Sequence, residues 1–168
     1  MPMNIGINGF GRIGRLVMRI AAEYPQVRIV RINDPAGDAE TLAHLLNFDS
    51  VHGRWNREAQ AADGAIMLDG QCIAVSHHKT IADTDWTDCD VVIEASGKMK
   101  TKTVLQAYLD QGVKRVVVTA PVKEEGVLNV VMGVNDAAYD AAMHRIVTAA
   151  SCTTNCLAPV VKVIHESL

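Results

Sequence analysis

The sequence has no surplus of positive charge. Its 168 residues carry 16 Lys and Arg against 19 Asp and Glu, a formal net charge of -3. A nucleic-acid-binding chain shows a basic excess, so no nucleic-acid partner is expected. No apolar run approaches the ~20 residues that span a bilayer, so no membrane association is expected either. Met1 to Gly6 lacks the basic and apolar regions of a secretory leader, which argues for a cytoplasmic setting. Cysteine is sparse. Cys72, Cys89, Cys152 and Cys156 do not make a disulfide scaffold, and a reduced compartment is the default. No Cys and His cluster supplies the four ligands of a structural zinc, so no metal is expected. Internal repeats, low-complexity tracts and linkers are absent. Lys162 to Leu168 also lacks a glycine or proline stop, so the last helical pattern simply runs out, as in a cut chain or a frayed natural terminus.

What is there is an alternation of two periods. Met3 to Asn8 is a short apolar run that reads as a buried strand, and Val27 to Ile32 is a second, β-branched one. Between them, residues 12–23 place Ile13, Leu16, Val17 and Ile20 at helical spacing. Thr41 to Phe48 reads as a helix with Leu42, Leu45 and Leu46 on one side. Gly64 to Val75 holds two apolar stretches around Asp69-Gly70, a hairpin dipeptide. Val91 to Ile93, Val116 to Val118, Val130 to Met132 and Ile146-Val147 are further strands. Lys102 to Leu109 and Thr154 to His165 read as helices. Strands alternating with helices predict an α/β fold, a doubly wound, mostly parallel sheet of Rossmann type with helices on both faces.

Gly9-Phe10-Gly11-Arg12-Ile13-Gly14 is G-x-G-x-x-G, following a predicted strand and opening a predicted helix, the context in which that spacing carries chemistry. The first glycine permits a tight turn, the second lets backbone approach a pyrophosphate, and the third packs helix on strand. Free N–H groups at the helix start favour phosphate, and Arg12 adds charge. Asp34 follows Gly14 by 20 residues, where an acidic side chain binds ribose hydroxyls and repels a 2′-phosphate. This favours NAD over NADP. The plainer alternative is a tight turn with Asp34 capping a loop.

Ser151-Cys152-Thr153-Thr154-Asn155-Cys156 is the second informative stretch. A cysteine at a helix N-terminus has its thiolate favoured by the macrodipole, and the same N–H groups can bind an oxyanion. Ser151 and Thr153 place hydroxyls beside it, suited to an anion such as phosphate. The local sequence equally allows Cys152 to be a buried small hydrophobe. Cys156 lies one helical turn on, a structural residue or a redox partner. His77-His78 and Lys123-Glu124-Glu125 read as solvated loops.

Ile7-Asn8-Gly9-Phe10-Gly11-Arg12-Ile13-Gly14-Arg15, Ile32-Asn33-Asp34-Pro35, Asp49-Ser50-Val51-His52-Gly53, Val131-Met132-Gly133-Val134-Asn135 and Ala150-Ser151-Cys152-Thr153-Thr154-Asn155-Cys156-Leu157-Ala158-Pro159 together resemble the signatures of glyceraldehyde-3-phosphate dehydrogenases. The resemblance implies that residues 1–150 are an NAD-binding domain and that residues 151–168 begin a substrate domain. It implies that Cys152 is the nucleophile and that Ser151 and Thr153 contact substrate or phosphate. It implies cofactor contacts at Asn8, Gly9, Phe10, Gly11, Arg12, Ile13, Gly14, Asp34, Lys79 and Thr119, with Ser96 and Gly97 near the nicotinamide side. Glyceraldehyde 3-phosphate and inorganic phosphate are the implied substrates, and a homotetramer the implied full-length assembly.

Two segments depart from the family's usual form. Glu94-Ala95-Ser96-Gly97 stands where E-S-T-G is usual, and Ala120 to Asn129 also differs. Both look like a divergent bacterial subgroup, one version of which is associated with arsenate resistance and would yield 1-arseno-3-phosphoglycerate. The residues also allow a non-catalytic NAD-binding module or an erythrose-4-phosphate type of dehydrogenase. None of the six histidines stands at the family's general-base position, so the base, and turnover itself, are expected to need residues beyond Leu168. The resemblance also implies a C-terminal helix that packs back on the NAD domain, so apolar surface that it covers is expected to be exposed in this chain.

Overall fold

The structure, a computed structural model, describes residues 1–168. In chain order it contains β1 (Met3–Asn8), α1 (Arg12–Ala21), β2 (Val27–Asn33), α2 (Ala39–Asn47), β3 (Phe48–Asp49), β4 (Gly53–Arg54), β5 (Ala59–Ala62), β6 (Ala65–Leu68) and β7 (Gln71–Ser76). It continues with β8 (Val91–Glu94), α3 (Lys102–Asp110), β9 (Arg115–Val118), β10 (Leu128–Asn129), β11 (Ile146–Thr148) and α4 (Cys152–Ser167). One sheet orders nine strands as β10-β11-β9-β8-β1-β2-β7-β6-β5. From β10 to β7 all neighbours pair parallel, while β6 runs antiparallel to both β7 and β5. The first strand sits in the middle and the order reverses beside it, between β1 and β8. That reversal is where doubly wound sheets place their ligand crevice.

Two apolar layers cover the sheet. Met18 of α1 and Leu42 and Leu46 of α2 pack on Ile5, Ile7, Ile29 and Ile32 on one face. Leu105 and Tyr108 of α3 pack with Trp86 on Val92, Val116 and Val118 on the other. The alternation of β1 makes this concrete. Ile5 and Ile7 face α1, while Gly6 lies under the Trp86 ring, where a methyl group would stand 2.8 Å from Cys89 Sγ and Trp86 Cζ3. The Asp69-Gly70 hairpin forms as expected, with both residues in the left-handed region at φ 51° and 78°.

Three expectations are corrected. The buried face of α1 is Gly14 and Met18, whereas Ile13 and Ile20 are exposed. Leu45 of α2 is likewise exposed. The strand expected at Val130 to Met132 ends at Asn129 instead. Val130 N still donates to Thr148 O at 2.9 Å, and then the Asn135 side chain takes over: Val131 N donates to Asn135 Oδ1 at 2.7 Å, and Asn135 Nδ2 donates to Asn129 O at 2.9 Å.

Helix α4 buries none of its residues. Leu157, Val160, Val161, Val163 and Ile164 all stay exposed, and Lys162 reaches Gly133 O at 2.7 Å. No helix is long and apolar enough to cross a membrane.

Gly6→Ala is expected to lower stability by about 1–3 kcal/mol through overpacking against Trp86, read as a lower urea midpoint at unchanged slope. Asp90 gives a pH test. Its carboxylate takes Lys114 Nζ at 2.6 Å and Asn4 N at 2.9 Å, and these hold it below the usual carboxylate range. A depressed folded value stabilises the protein above the ordinary carboxylate range near pH ~4, and that contribution is lost as pH falls through the folded value. The stability gap between wild type and Asp90→Asn should therefore narrow on acidification, in urea titrations at stepped pH.

Candidate functional site

The parallel strands all end on one edge of the sheet, and the last residues of four adjacent ones are polar. Ser76, Asn33, Asn8 and Glu94 stand in register across β7, β2, β1 and β8. Asn33 is 2% exposed, Asn8 4% and Glu94 1%. Their side chains form a continuous hydrogen-bonded row. Ser76 Oγ donates to Asn33 Oδ1 at 2.9 Å, Asn33 Nδ2 to Asn8 Oδ1 at 2.8 Å, and Asn8 Nδ2 to Glu94 Oε2 at 2.7 Å. Tyr108 closes the row from α3, donating its hydroxyl to Glu94 Oε2 at 2.6 Å and accepting from Asn8 Nδ2 at 2.7 Å. Burial, with the Glu94 carboxylate beside it, pushes the Tyr108 phenol up, so it remains a donor.

Above this row sits a cleft of about 350 Å³. Asn8, Gly9, Gly11, Asp34, Lys79 and Ser96 line it, together with Pro35, Ala36, His78, Ala95, Lys98 and Met99, which were not expected at the cofactor. A larger depression, about 850 Å³, lies at the opposite, amino ends of the strands around Arg28 and Lys114. The ligand crevice of such sheets lies at the carboxyl ends, so the smaller cleft is the candidate.

The three glycines of the loop meet different surroundings. Gly9 has φ +90°, and a Cβ there would collide with the Ser96 backbone. A Cβ on Gly14 would collide with Gly9 O. A Cβ on Gly11 would meet nothing within 4 Å, so the space above it is open to a ligand. Gly11 is the N-cap of α1, no side chain caps the helix, and its first turn holds no acidic residue. The first backbone bond of the helix runs from Arg15 N to Gly11 O, leaving the N–H groups of Arg12, Ile13 and Gly14 without intrahelical acceptors. These features fit a dinucleotide pyrophosphate.

The remaining expected residues surround that loop. Asp34 accepts from Phe10 N at 2.6 Å and Ala36 N at 2.8 Å, which tethers the glycine loop to the end of β2. The Phe10 side chain itself is core, 1% exposed, so only its backbone faces the loop. Arg12, Ile13, Lys79 and Gly97 are exposed. Ser96 shares the Asp34 cleft, its N and Oγ both donating to Glu94 Oε1. Thr119 follows β9, and its N donates to Glu94 O at 2.9 Å.

Cys152 stands apart from the cleft but on the same edge. It is the first residue of α4, just after β11, and its side chain is exposed. Three inter-strand steps separate β1 from β11, which is roughly 14 Å at the usual ~4.8 Å spacing. Ser151 is the N-cap, its Oγ accepting from Thr154 N at 3.1 Å and lying 3.0 Å from Thr153 Oγ1. Cys152 and Thr153 keep N–H groups free of intrahelical partners. Ala150, just before the cap, is 5% exposed with φ 55°, an unfavourable conformation for a residue with a Cβ. Cys89 is the opposite kind of thiol: buried against Asp88, and pushed up by that burial. No group of His, Cys, Asp and Glu is arranged to hold a metal.

The sequence model of the family described as "Glyceraldehyde 3-phosphate dehydrogenase, NAD binding domain" matches residues 3–102. Glyceraldehyde-3-phosphate dehydrogenase 3 of Nostoc sp. is 52% identical, over 100% of this chain and 50% of the relative. Glyceraldehyde-3-phosphate dehydrogenase 1 of Bacillus cereus is 48% identical over 96% of the chain and 48% of the relative. The Geobacillus stearothermophilus glyceraldehyde-3-phosphate dehydrogenase is 42% identical over 99% and 50%. The chain thus spans about half the length of the curated relatives it matches.

Two measurements check the geometry. Gly11→Ala should leave the thermal midpoint within experimental error of wild type while weakening NAD binding about tenfold or more in calorimetry, because its methyl group fills ligand space only. Gly14→Ala should lower the midpoint as well. Mass-spectrometric mapping after brief iodoacetamide treatment should find Cys152 labelled well before Cys89. Faster labelling of Cys89 would contradict the burial described.

Proposed function

The chain belongs to the glyceraldehyde-3-phosphate dehydrogenase family, and from that premise we propose that it serves the NAD-dependent oxidation and phosphorylation of glyceraldehyde 3-phosphate to 1,3-bisphosphoglycerate, through a thioester on Cys152. One observation carries the reading. An exposed thiol begins a helix on the same sheet edge as an open glycine loop. A module that only bound dinucleotide would need the second feature and not the first.

The chemistry follows from those positions. The Cys152 thiolate attacks the aldehyde carbon, forming a carbon–sulfur bond and a hemithioacetal oxyanion. The free N–H groups of Cys152 and Thr153 are placed to stabilise that oxyanion. NAD, when bound, supplies the acceptor for the hydride lost as that carbon is oxidised to a thioester. Phosphate oxygen then attacks the thioester carbon, and the thiolate leaves. Covalent capture splits one difficult step into two. Ser151 and Thr153 offer hydroxyls to the incoming anion. The histidine base that assists oxidation belongs, by the family's pattern, to residues outside this chain. The same reading makes the full-length protein a cytoplasmic homotetramer, with residues 1–150 holding NAD and residues 151–168 opening the substrate domain.

Arsenate is the alternative acceptor that the resemblance implies; it is nearly isosteric with phosphate, and the residues of this chain do not separate the two. The test is NADH formation by the protein carrying this chain, with glyceraldehyde 3-phosphate, NAD and either anion. Cys152→Ala should lower the rate by on the order of 10⁴-fold or more. Turnover that survives this change sinks the thioester. NAD binding without turnover in the wild type leaves the non-catalytic module. Asp34→Gly should bring NADP affinity toward that for NAD, and an unchanged ratio of the two dissociation constants would remove Asp34 from the ribose site.

A further inference from the structure

Glu94 is a carboxylate with no cation against it, 1% exposed, in the middle of the sheet. Its two oxygens accept from four donors: Asn8 Nδ2 and the Tyr108 hydroxyl on one, Ser96 N and Oγ on the other. A buried charge is tolerated when its hydrogen bonds are complete, and breaking the set is costly. The four donors come from three residues in different parts of the chain. Ser96 is one wall of the cofactor cleft, Asn8 leads into Gly9, and Tyr108 comes from α3, outside the cleft. The other end of the row holds the opposite wall. Asn33 Nδ2 donates to His78 O at 3.0 Å and Asn33 Oδ1 accepts from His78 N at 2.9 Å.

We propose that Glu94 and Tyr108 are positioning residues of the NAD cleft: through Asn8 and Asn33 they fix the spacing between its Ser96 wall and its His78–Lys79 wall. Neither needs to touch the cofactor. The close fit at Gly9 explains why the spacing matters. The Ser96 backbone sits where a Gly9 Cβ would be, so a loosened turn after β8 moves directly into the glycine loop. Tyr108 is the prop on the far side. Without its hydroxyl, Glu94 Oε2 keeps only Asn8, and Asn8 loses its second acceptor. The inference rests on NAD occupying this cleft.

The experiment uses the whole chain and three variants, with NAD affinity measured by calorimetry well below each thermal midpoint. Tyr108→Phe should weaken NAD binding about tenfold, the equivalent of one lost bond to a charged acceptor. Glu94→Gln should weaken it more, because its amide turns an N–H against the Asn8 and Tyr108 donors or against Ser96. Val116→Ala is the control, a cavity in the same apolar layer away from the row. It should lower the midpoint as much as Tyr108→Phe does while leaving NAD affinity within about twofold, since lost stability alone does not change the site of a folded protein. A second readout needs no cofactor. The Ser96 amide should exchange with solvent faster in Tyr108→Phe than in Val116→Ala. Wild-type affinity in Tyr108→Phe, with only a lowered midpoint, overturns the proposal. Failure of the wild type to bind NAD overturns instead the reading of the cleft on which it rests.

Discussion

Seven parallel strands bring their carboxyl ends to one edge, and the polar side chains buried there must satisfy one another because water does not reach them. The row Ser76–Asn33–Asn8–Glu94 meets that constraint across four strands at once. Register is its precondition. A slip of one residue in β1 would turn Asn8 toward the α1 layer and Ile7 toward Tyr108, exchanging a satisfied amide for an orphaned one. The row therefore selects the pairing that also aims the glycine loop, the Asp34 turn and the Ser96 turn at a common space. Fold and site are specified by the same four side chains.

Much of this was legible. β-Branched runs gave β2, β8, β9 and β11 within a residue or two, and Asp69-Gly70 gave its hairpin. The turn and packing roles assigned to Gly9 and Gly14 from spacing alone match what a side chain at each position would meet. The failures have physical causes. Ala59-Gln60-Ala61-Ala62 forms β5 with no β-branched or aromatic residue, because its place is fixed by pairing with β6 and by packing against α2. Val130 to Met132 looked like a strand because it is apolar. Val130 N still donates to Thr148 O, but Val131 N turns to the Asn135 side chain, which competes with the ladder and ends it there.

The row itself was the least legible part. Asn8 stands out in the sequence as a cofactor contact, yet its partners Glu94 and Tyr108 lie 86 and 100 residues away and meet it only through sheet topology. A signal did exist. An acidic residue closing the run Val91-Val92-Ile93 is a charge at the end of a fully covered strand, and such a charge requires donors. Its partner on α3 could not be named without the fold.

The central place of β1 has a kinetic consequence. β1 pairs with β2 soon after it in the chain, but with β8 only across a long excursion, Asn8 meeting Glu94 at a separation of 86 residues. Closing so long a loop is entropically unfavourable before the contacts it brings are made. During synthesis the glycine loop emerges first, yet its second wall arrives only after Ser96 has left the ribosome. Until then the α1–α2 half of the sheet exposes the edge of β1, an unpaired row of backbone donors and acceptors beside an apolar strand. The most vulnerable interval of this chain's folding is thus the one in which its most recognisable sequence is already made.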